Sequence, residues 1–286
     1  MKQSSIVVID LGGTKINIGL YRQGQIIHHK VQPFNANVSQ AESISFLAER
    51  ILAMLEPDSV AVAIGVPSIV DIEQGIVFDA VNISSWQHVP LKATLEALVK
   101  LPVYVNNDVN CFVKGEHSLH KAQQVSDMVG LCLGTGLGAG IVLQGKLYTG
   151  INCCAGELGS ISYLKSTLDD YCSGKFFKDH YGECGSILAE KARQGEEFAI
   201  AAFEQFGKHV AVAISHLLLI MDPQLIVLGG SVAKSFDLFI DSVWQQLNAF
   251  PYKNVIAKLT IKQSQYENSA LLGAAELYLA QERTNA

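Results

Sequence analysis

The hydrophobic positions of this chain fall into short β-branched runs and longer helical repeats. The first run, at 6–9, reads as a strand that ends in Asp10, and a second strand-like run at 16–21 follows a pair of glycines. A turn at Gln23-Gly24 leads to a third run at 26–31. The pattern therefore predicts an opening three-stranded meander.

Strands then alternate with helices. Residues 39–55 carry apolar side chains at helical spacing, with Ser39 and Glu42 spaced as a capping box. This alternation predicts an α/β domain with parallel strands added to the meander. The further elements expected are strands at 60–64 and 103–105 and helices at 90–100 and 109–120.

The opening pattern begins again at Asp127. A strand at 128–133, a glycine-rich turn and a strand at 139–143 lead to Gln144-Gly145 and a third strand at 146–148. Self-similarity of this kind predicts two duplicated domains. We expect an N-terminal domain over 1–120, with helix 269–283 packing back on it, and a C-terminal domain over 121–268.

The rest of the chain is predicted from the same signals. Residues 153–181 read as a long irregular functional loop. Gly273 and its alanine neighbours give the last helix a small-residue face, for close packing or for a flat ligand. The other elements expected are helices at 187–194, 197–221, 235–249 and 269–283 and strands at 225–228 and 255–261.

Composition narrows the classes of protein. The chain has 286 residues, 49% hydrophobic and 17% charged, which indicates a folded globular protein with a sizeable core. A net charge of −6 argues against nucleic acid as a partner, and no apolar run is long enough to span a membrane. The first strand leaves no room for a signal peptide, and the six cysteines are expected to be free thiols, so we expect a cytoplasmic protein.

The first glycine turn has two readings. The backbone N–H groups of Gly12 and Gly13 can approach an anion closely, Thr14 adds a hydroxyl, and Asp10 could hold a metal that accompanies a phosphate. The alternative is a plain β-hairpin whose glycines serve the turn. This stretch alone does not separate the two.

The second glycine cluster, Gly134-Thr135-Gly136, formally fits a dinucleotide-binding pattern. That pattern needs a helix after the glycines, whereas a strand follows here. Neither cluster continues as a Walker A loop. We therefore interpret the second cluster as a phosphate-approaching hairpin that matches the first.

Two carboxylates are candidates for chemistry. Asp108 follows a strand and starts a helix, so it is either a helix N-cap or a base that accepts a proton from a substrate hydroxyl. Glu157, between glycines, is either a solvated turn residue or a substrate-facing carboxylate. Cys172, His180 and Cys184 lack the spacing typical of a zinc site, so no zinc is predicted.

At these motifs the chain resembles the ROK family, whose name stands for repressors, open reading frames and kinases. This is the sugar-kinase branch of the hexokinase/actin-like ATPase fold, and the likeness covers nearly the whole chain. The resemblance implies an α/β protein of two duplicated ribonuclease H-like domains with a cleft between them. The motifs, in order, are Asp10-Leu-Gly-Gly-Thr-Lys15, Gly65-Val-Pro67, Asn82-Ile-Ser-Ser-Trp86, Asn107-Asp108-Val-Asn110, Leu133-Gly-Thr-Gly-Leu-Gly138, Ala155-Gly-Glu-Leu-Gly159, Val227-Leu-Gly-Gly-Ser231 and Ala270-Leu-Leu-Gly273.

The resemblance implies an ATP-dependent sugar kinase acting on a free hexose, with a glucose-like sugar first. Asp108 would be the base at the sugar hydroxyl, usually the 6-OH, and Mg²⁺ would accompany ATP with Asp10 near it through water. It also implies a homodimer. The implied ATP-binding residues are Asp10, Gly12, Gly13, Thr14, Lys15, Gly134, Thr135, Gly136, Gly229, Gly230 and Gly273, and the implied sugar-binding residues are Gly65, Asn82, Asn107, Asp108 and Glu157.

The chain departs from the family pattern near the sugar. Ser160 stands where most members have a histidine, the zinc-binding cysteine cluster is missing, and Ser68 stands where a glycine commonly follows the proline. These changes leave the sugar open. The alternatives are an N-acetylhexosamine kinase, a fructokinase, a sugar-responsive transcriptional regulator of the same family, and a sugar-binding protein without turnover.

Overall fold

The computed structural model describes residues 4–120 and 123–285. The chain divides into two compact units. The first takes in Met1–Lys121, Leu147–Ala155 and Tyr266–Ala286, and the second takes in Ala122–Lys146 and Gly156–Gln265. The segment 147–155 thus groups with the first unit, whereas the sequence-based division gave it to the C-terminal domain.

Fifteen strands lie in the described part of the chain and form two five-stranded sheets and two small ones. They are β1 Ser5–Leu11, β2 Lys15–Arg22, β3 Gln25–Pro33, β4 Ser59–Val66, β5 Ile69–Asp71, β6 Ile76–Phe78, β7 His88–Val89, β8 Val103–Asn107, β9 Met128–Leu133, β10 Leu137–Leu143, β11 Lys146–Tyr148, β12 Ser162–Tyr163, β13 Ser166–Thr167, β14 Leu225–Gly229 and β15 Thr260–Gln263.

The α-helices of the described residues accompany these sheets. Ser39 caps the first helix through the capping box that the sequence predicts. The helices are α1 Gln40–Met54, α2 Leu91–Val99, α3 Asp108–Leu119, α4 Leu168–Tyr171, α5 Gly174–Tyr181, α6 Gly185–Arg193, α7 Glu197–Met221, α8 Phe236–Leu247, α9 Lys253–Ile256 and α10 Ser269–Asn285. None of the helices described here is long and apolar enough to span a membrane.

The first unit is built on a sheet of order β3-β2-β1-β4-β8. Strand β1 is antiparallel to β2 and parallel to β4, which is parallel to β8. Both faces of the sheet are covered, because Val7 and Ile9 belong to the cluster that α1 and α2 join, while Ile6 and Val8 pack with residues of α10. Full burial on both faces explains the continuous apolar run of β1.

The second five-stranded sheet repeats this topology. Its order is β11-β10-β9-β14-β15, with β9 antiparallel to β10 and parallel to β14. Residues of α5, α6, α7 and α8 bury the apolar side chains of this sheet. The duplicated hairpins that the sequence predicts are therefore present, each joined on one side to a parallel strand.

Two elements differ from the sequence-based predictions. The expected irregular loop at 153–181 is wrong, since this segment holds a single 3-10 turn, the β12–β13 hairpin and helices α4 and α5. The expected strand at 255–261 is also wrong, because Val255 and Ile256 close the short helix α9 and β15 starts only at Thr260.

Candidate active site

Three strand ends of the first unit bring the predicted residues to one sheet edge. Asp10 of β1 pairs with Gly65 of β4, which pairs with Asn106 of β8. Asp108 begins α3 directly after β8. A Cβ atom on Gly65 would lie 3.2 Å from the Asp108 Cα, so the glycine lets α3 approach the sheet closely.

Asp10 is a carboxylate with an unusual environment. Desolvation raises its pKa to about 6, although Lys15 and a hydrogen bond with Asn17 act in the opposite direction. Asn17 lies opposite Asp10 on β2. The charge of Asp10 is thus only partly compensated by the protein, and a carboxylate oxygen is a ligand that Mg²⁺ prefers, so Asp10 suits a magnesium ion.

The first glycine turn is compact. The Gly12 N–H donates to the Lys15 carbonyl at 2.9 Å, and the side chains of Thr14 and Lys15 are exposed. A Cβ atom on Gly13 would lie 2.7 Å from the Asn82 Cβ. The structure therefore brings Gly13 and the predicted sugar ligand Asn82 into contact.

The capping role weighed for Asp108 belongs to its neighbour. The Asn107 Oδ1 atom accepts hydrogen bonds from the backbone N–H groups of Val109 and Asn110, and the Asn107 Nδ2 atom donates to the Ser68 carbonyl at 3.1 Å. Asp108 is instead the first residue of the helix, and its Oδ1 atom accepts the Val109 N–H at 2.8 Å. The N-cap reading of Asp108 is wrong.

The buried thiol of Cys111 lies close to both Asp10 and Asp108. Burial raises the pKa of Cys111, and the charges of Asp10 and then Asp108 raise it further. Both carboxylates therefore act on the same sulfur. Asp10 and Asp108 lie in one small neighbourhood at the carboxyl end of the sheet, where α/β proteins place their ligands.

The second glycine turn has its own partners in the second unit. The Gly134 N–H donates to the Gly136 carbonyl at 3.0 Å, and Gly229 pairs with Cys132, two residues before the turn. Gly230 has a φ of +90°, and a Cβ atom there would lie 2.4 Å from the Leu133 carbonyl. Both predicted glycine clusters of this unit therefore lie at adjacent strand ends.

Glu157 is anchored beside the second hairpin. The Ala139 N–H donates to the Gly156 carbonyl at 2.9 Å, and a Cβ atom on Gly156 would overlap the Ala139 carbonyl. Residue Glu157 keeps much of its surface exposed, but its carboxyl is partly desolvated. That desolvation, and after it the charge of Asp169, raises the pKa of Glu157.

Sequence reasoning missed two charged residues at this turn. The Asp169 Oδ1 atom accepts the Leu137 N–H at 2.5 Å, and Lys175 Nζ lies 2.5 Å from the Asp169 Oδ2 atom. Gly174, at the start of α5, donates its N–H to the Gly134 carbonyl at 2.8 Å. The Ser173-Gly174 step before a pair of phenylalanines was a usable helix-start signal, because Ser173 is the N-cap of α5.

Gly273 lies in the first unit and has a packing reason. A Cβ atom there would come within 1.7 Å of the Cys111 carbonyl on α3. Of the two readings of this small-residue face, close helix packing explains the glycine. Its place near the adenosine stays a prediction.

The candidate zinc ligands do not come together. Cys172 is buried, whereas Cys184 is exposed and His180 stacks on Tyr171 and Phe176. Across residues 4–120 and 123–285, no group of three potential metal ligands occurs. All six cysteines lie within these ranges and are free thiols.

A cavity of about 780 Å³ in the first unit lies elsewhere. Tyr104, Ile151 and Leu277 are among its lining residues, and no predicted site residue borders it. The strand ends, rather than this cavity, therefore define the candidate site.

Known proteins match almost the whole length of this chain. The sequence profile of the ROK family matches residues 6–281. An N-acetyl-D-glucosamine kinase from Yersinia pseudotuberculosis serotype O:3 (strain YPIII) is 30% identical over 308 residues, covering 95% of this chain and 98% of the relative. A glucokinase from Thermotoga maritima is 25% identical and covers 97% of this chain and 98% of its own.

Solved structures agree with this result. A ROK family glucokinase from Streptomyces griseus, in complex with glucose and AMPPNP, has a TM-score of 0.82 at 26% identity and covers 96% of this chain and 99% of its own. A ROK family transcriptional regulator, a homologue of the E. coli MLC protein, has a TM-score of 0.84 at 22% identity and covers 98% of this chain and 78% of its own, which shows a shared fold. The chain belongs to the ROK family and has the actin-like ATPase fold of its hexokinases and glucokinases.

Proposed function

We propose that this protein is an ATP-dependent sugar kinase that transfers the γ-phosphoryl group of ATP to a hydroxyl, the 6-OH, of a free glucose-like hexose. The observation that carries the proposal is the row Asp10, Gly65 and Asn106 at one sheet edge, with Asp108 immediately behind it. Relatives that span nearly the whole chain and are named as sugar kinases support it.

Asp108 is the proposed catalytic base. It accepts the proton of the sugar hydroxyl as the oxygen attacks the γ-phosphorus, a step of the kind that phosphoryl transfer requires. Asn107 fixes the start of α3 and so fixes the Asp108 backbone. Asn82, Asn107 and Glu157 would form hydrogen bonds with hydroxyl groups of the sugar.

The N–H groups of the two glycine turns are proposed to bind ATP phosphates. Thr14 and Lys15 add a hydroxyl and a cation at the first turn, and Thr135 adds a hydroxyl at the second. Gly229, Gly230 and Gly273 would border the adenosine. Mg²⁺ held near Asp10 through water would neutralise charge on the phosphate oxygens. A cytoplasmic location completes the proposal, since the reaction uses ATP and the cysteines are free thiols. Membership of the ROK family favours a homodimer.

The test is ADP release with a panel of glucose, N-acetylglucosamine, N-acetylmannosamine and fructose. The Asp108→Asn variant is expected to lower kcat by about 10²–10⁴-fold while sugar affinity, measured by calorimetry, largely survives. The Asp241→Asn variant, at an exposed carboxylate on α8, is the matched control. Wild-type kcat in Asp108→Asn would refute the base assignment.

An N-acetylhexosamine kinase is the second candidate. It is favoured by the relative from Yersinia pseudotuberculosis, whose name gives N-acetyl-D-glucosamine as its substrate. The same panel separates the two candidates, because each predicts a different sugar with the highest kcat/KM. Absence of ADP release with every sugar would leave a binding protein without turnover.

A further inference from the structure

A carboxylate lies against the second glycine turn. One oxygen of Asp169 accepts the Leu137 N–H at 2.5 Å, and a Cβ atom on Gly136 would lie 2.8 Å from that same oxygen. The Asp169 side chain keeps 23% of its surface exposed. Asp169 thus ties the segment that carries α4 and α5 to the turn.

This contact creates an electrostatic problem for the proposed function. A fixed negative charge beside a turn that receives phosphates repels them, and water screens a partly desolvated charge only incompletely. Glu157 adds a second acid nearby, since Asp169 raises its pKa. A cation held at the same place would remove the conflict.

Lys175 meets this requirement. Its Nζ atom lies 2.5 Å from Asp169 Oδ2 and 3.6 Å from Asp170 Oδ1. The position is fixed by the backbone, because the neighbouring Gly174 N–H donates to the Gly134 carbonyl at 2.8 Å. The cation therefore comes from the first turn of α5, directly beside the glycine turn whose phosphate contacts it would protect.

We propose that Lys175 is a positioning residue that neutralises Asp169 and so keeps the Gly134–Leu137 turn able to accept the phosphates of ATP. This rests on the proposed function of the turn. Asp169 links α4 to the turn through its hydrogen bond with the Leu137 N–H, and Lys175 neutralises the negative charge of that carboxylate. Together, Asp169 and Lys175 carry no net charge, so the bond from Asp169 to the turn adds no net negative charge there.

The test is a set of charge variants read out by KM for ATP and by kcat at saturating sugar. Lys175→Met is expected to raise KM for ATP about five- to tenfold at low salt, with a smaller effect on kcat, because an uncompensated Asp169 repels the nucleotide. Lys175→Arg should stay near wild type. Lys178→Met, at an exposed lysine on the same helix, is the matched control and should leave KM unchanged.

The decisive variant is the double change Asp169→Asn with Lys175→Met. Neutralisation predicts that the double change returns the KM for ATP from the Lys175→Met value to within about twofold of wild type, because the carboxylate that Lys175 neutralises is gone. Failure of this rescue would mean that Lys175 binds phosphate directly, and would overturn the proposal. An unchanged KM in Lys175→Met would also overturn it.

AMPPNP binding by calorimetry separates this proposal from the sugar-kinase proposal. If the wild type binds AMPPNP and releases no ADP with any sugar, the kinase proposal fails, while the same variants still test Lys175 through AMPPNP affinity. Weaker binding in Lys175→Met, recovered in the double variant and reduced by high salt, supports neutralisation. A wild type that does not bind AMPPNP overturns both proposals.

Discussion

The two glycine turns share a backbone and differ in how they obtain their charges. Each turn joins an antiparallel pair of strands and is flanked by a parallel strand, with its first glycine N–H bonded to a carbonyl across the turn at 2.9 Å and 3.0 Å. At the first turn, the acid Asp10 and the cation Lys15 belong to the hairpin itself. At the second, Asp169 and Lys175 come from a segment that follows the hairpin.

The two duplicated hairpins thus share their backbone arrangement, whereas the charged residues around them come from different parts of the chain. The first acid is desolvated at a strand end, where a cation can relieve it. The second acid is already paired with a lysine and bound to a backbone N–H group. We therefore propose that the first turn holds the cation and that the second binds phosphate without a net charge of its own.

Of the changes that compare the two turns, removal of Asp10 should have the largest effect. We expect Asp10→Asn to lower kcat about 10²–10³-fold, because the proposed magnesium contact is lost. Its stability should rise at neutral pH, since a pKa moved from 3.8 to about 6 is about two units, or at most about 3 kcal/mol of strain in the charged form. Urea unfolding measures the stability, and ADP release measures kcat.

The effect of Asp10 on stability should depend on pH. The folded protein binds a proton at Asp10 more readily than the unfolded chain, so the contribution of Asp10 to stability is present below about pH 4 and is lost as pH rises through about 6. The stability gain of Asp10→Asn should therefore shrink between pH 7.5 and pH 4.5. A gain that is equal at both values would contradict the desolvated acid.

The second turn depends on the segment that supplies its charges, and His209 holds that segment by ring contacts. It is 6% exposed, and its Nδ1 atom lies 3.0 Å from the Tyr163 hydroxyl. The rings of Tyr171 and Phe176 have centroids 5.1 Å and 5.3 Å from that of His209. Desolvation, and then the charges of His180 and Lys208, lower the pKa of His209 to about 4.

We expect this histidine to make the protein acid-sensitive. Between pH 6.5 and 4 the unfolded chain binds a proton at His209 and the folded protein does not, so stability falls as pH falls through this window. The full loss is about 3 kcal/mol for a shift of about two and a half units. His209→Gln should flatten the difference between pH 7 and pH 4.5 in urea unfolding, and a slope equal to wild type would refute the neutral histidine.

The first turn could be predicted from the sequence, whereas the charged contacts of the second could not, because they join residues that lie far apart in the chain. The first turn is local, since a strand, an acid and two glycines stand within ten residues, and its repeat predicted the second hairpin. The Asp169–Leu137 contact spans 32 positions. Asp169 lies on α4 and its partner Lys175 on α5, and these helices have only four and eight residues. Elements this short carry too little periodicity to be recognised, and their formation depends on burying Phe176 and Phe177 in the core. The misread strand at Val255-Ile256 is also a short element: both residues lie in a single helical turn, half-buried against the core of the second unit, and this packing overrode their β-propensity.

The smallest expected effects come from a glycine-to-alanine substitution in each turn, which adds a single methyl group. A Cβ atom on Gly13 would meet the Asn82 Cβ at 2.7 Å, whereas at Gly134 the nearest atom would be 4.0 Å away. Gly13→Ala should therefore cost about 2 kcal/mol by overpacking, and Gly134→Ala less than about 1 kcal/mol. Gly134→Ala should still raise KM for ATP several-fold, because its methyl group would stand where the phosphates are proposed to approach.

The double change Gly13→Ala with Asn82→Gly isolates the contact. If the two Cβ atoms are what collide, removing the Asn82 Cβ should recover most of the stability that Gly13→Ala loses beyond the cost of Asn82→Gly alone. Equal destabilisation by Gly13→Ala and Gly134→Ala would instead mean that both turns are limited by their own backbone. In that case the first turn would have no special relation to Asn82, and the difference between the turns would reduce to their charges.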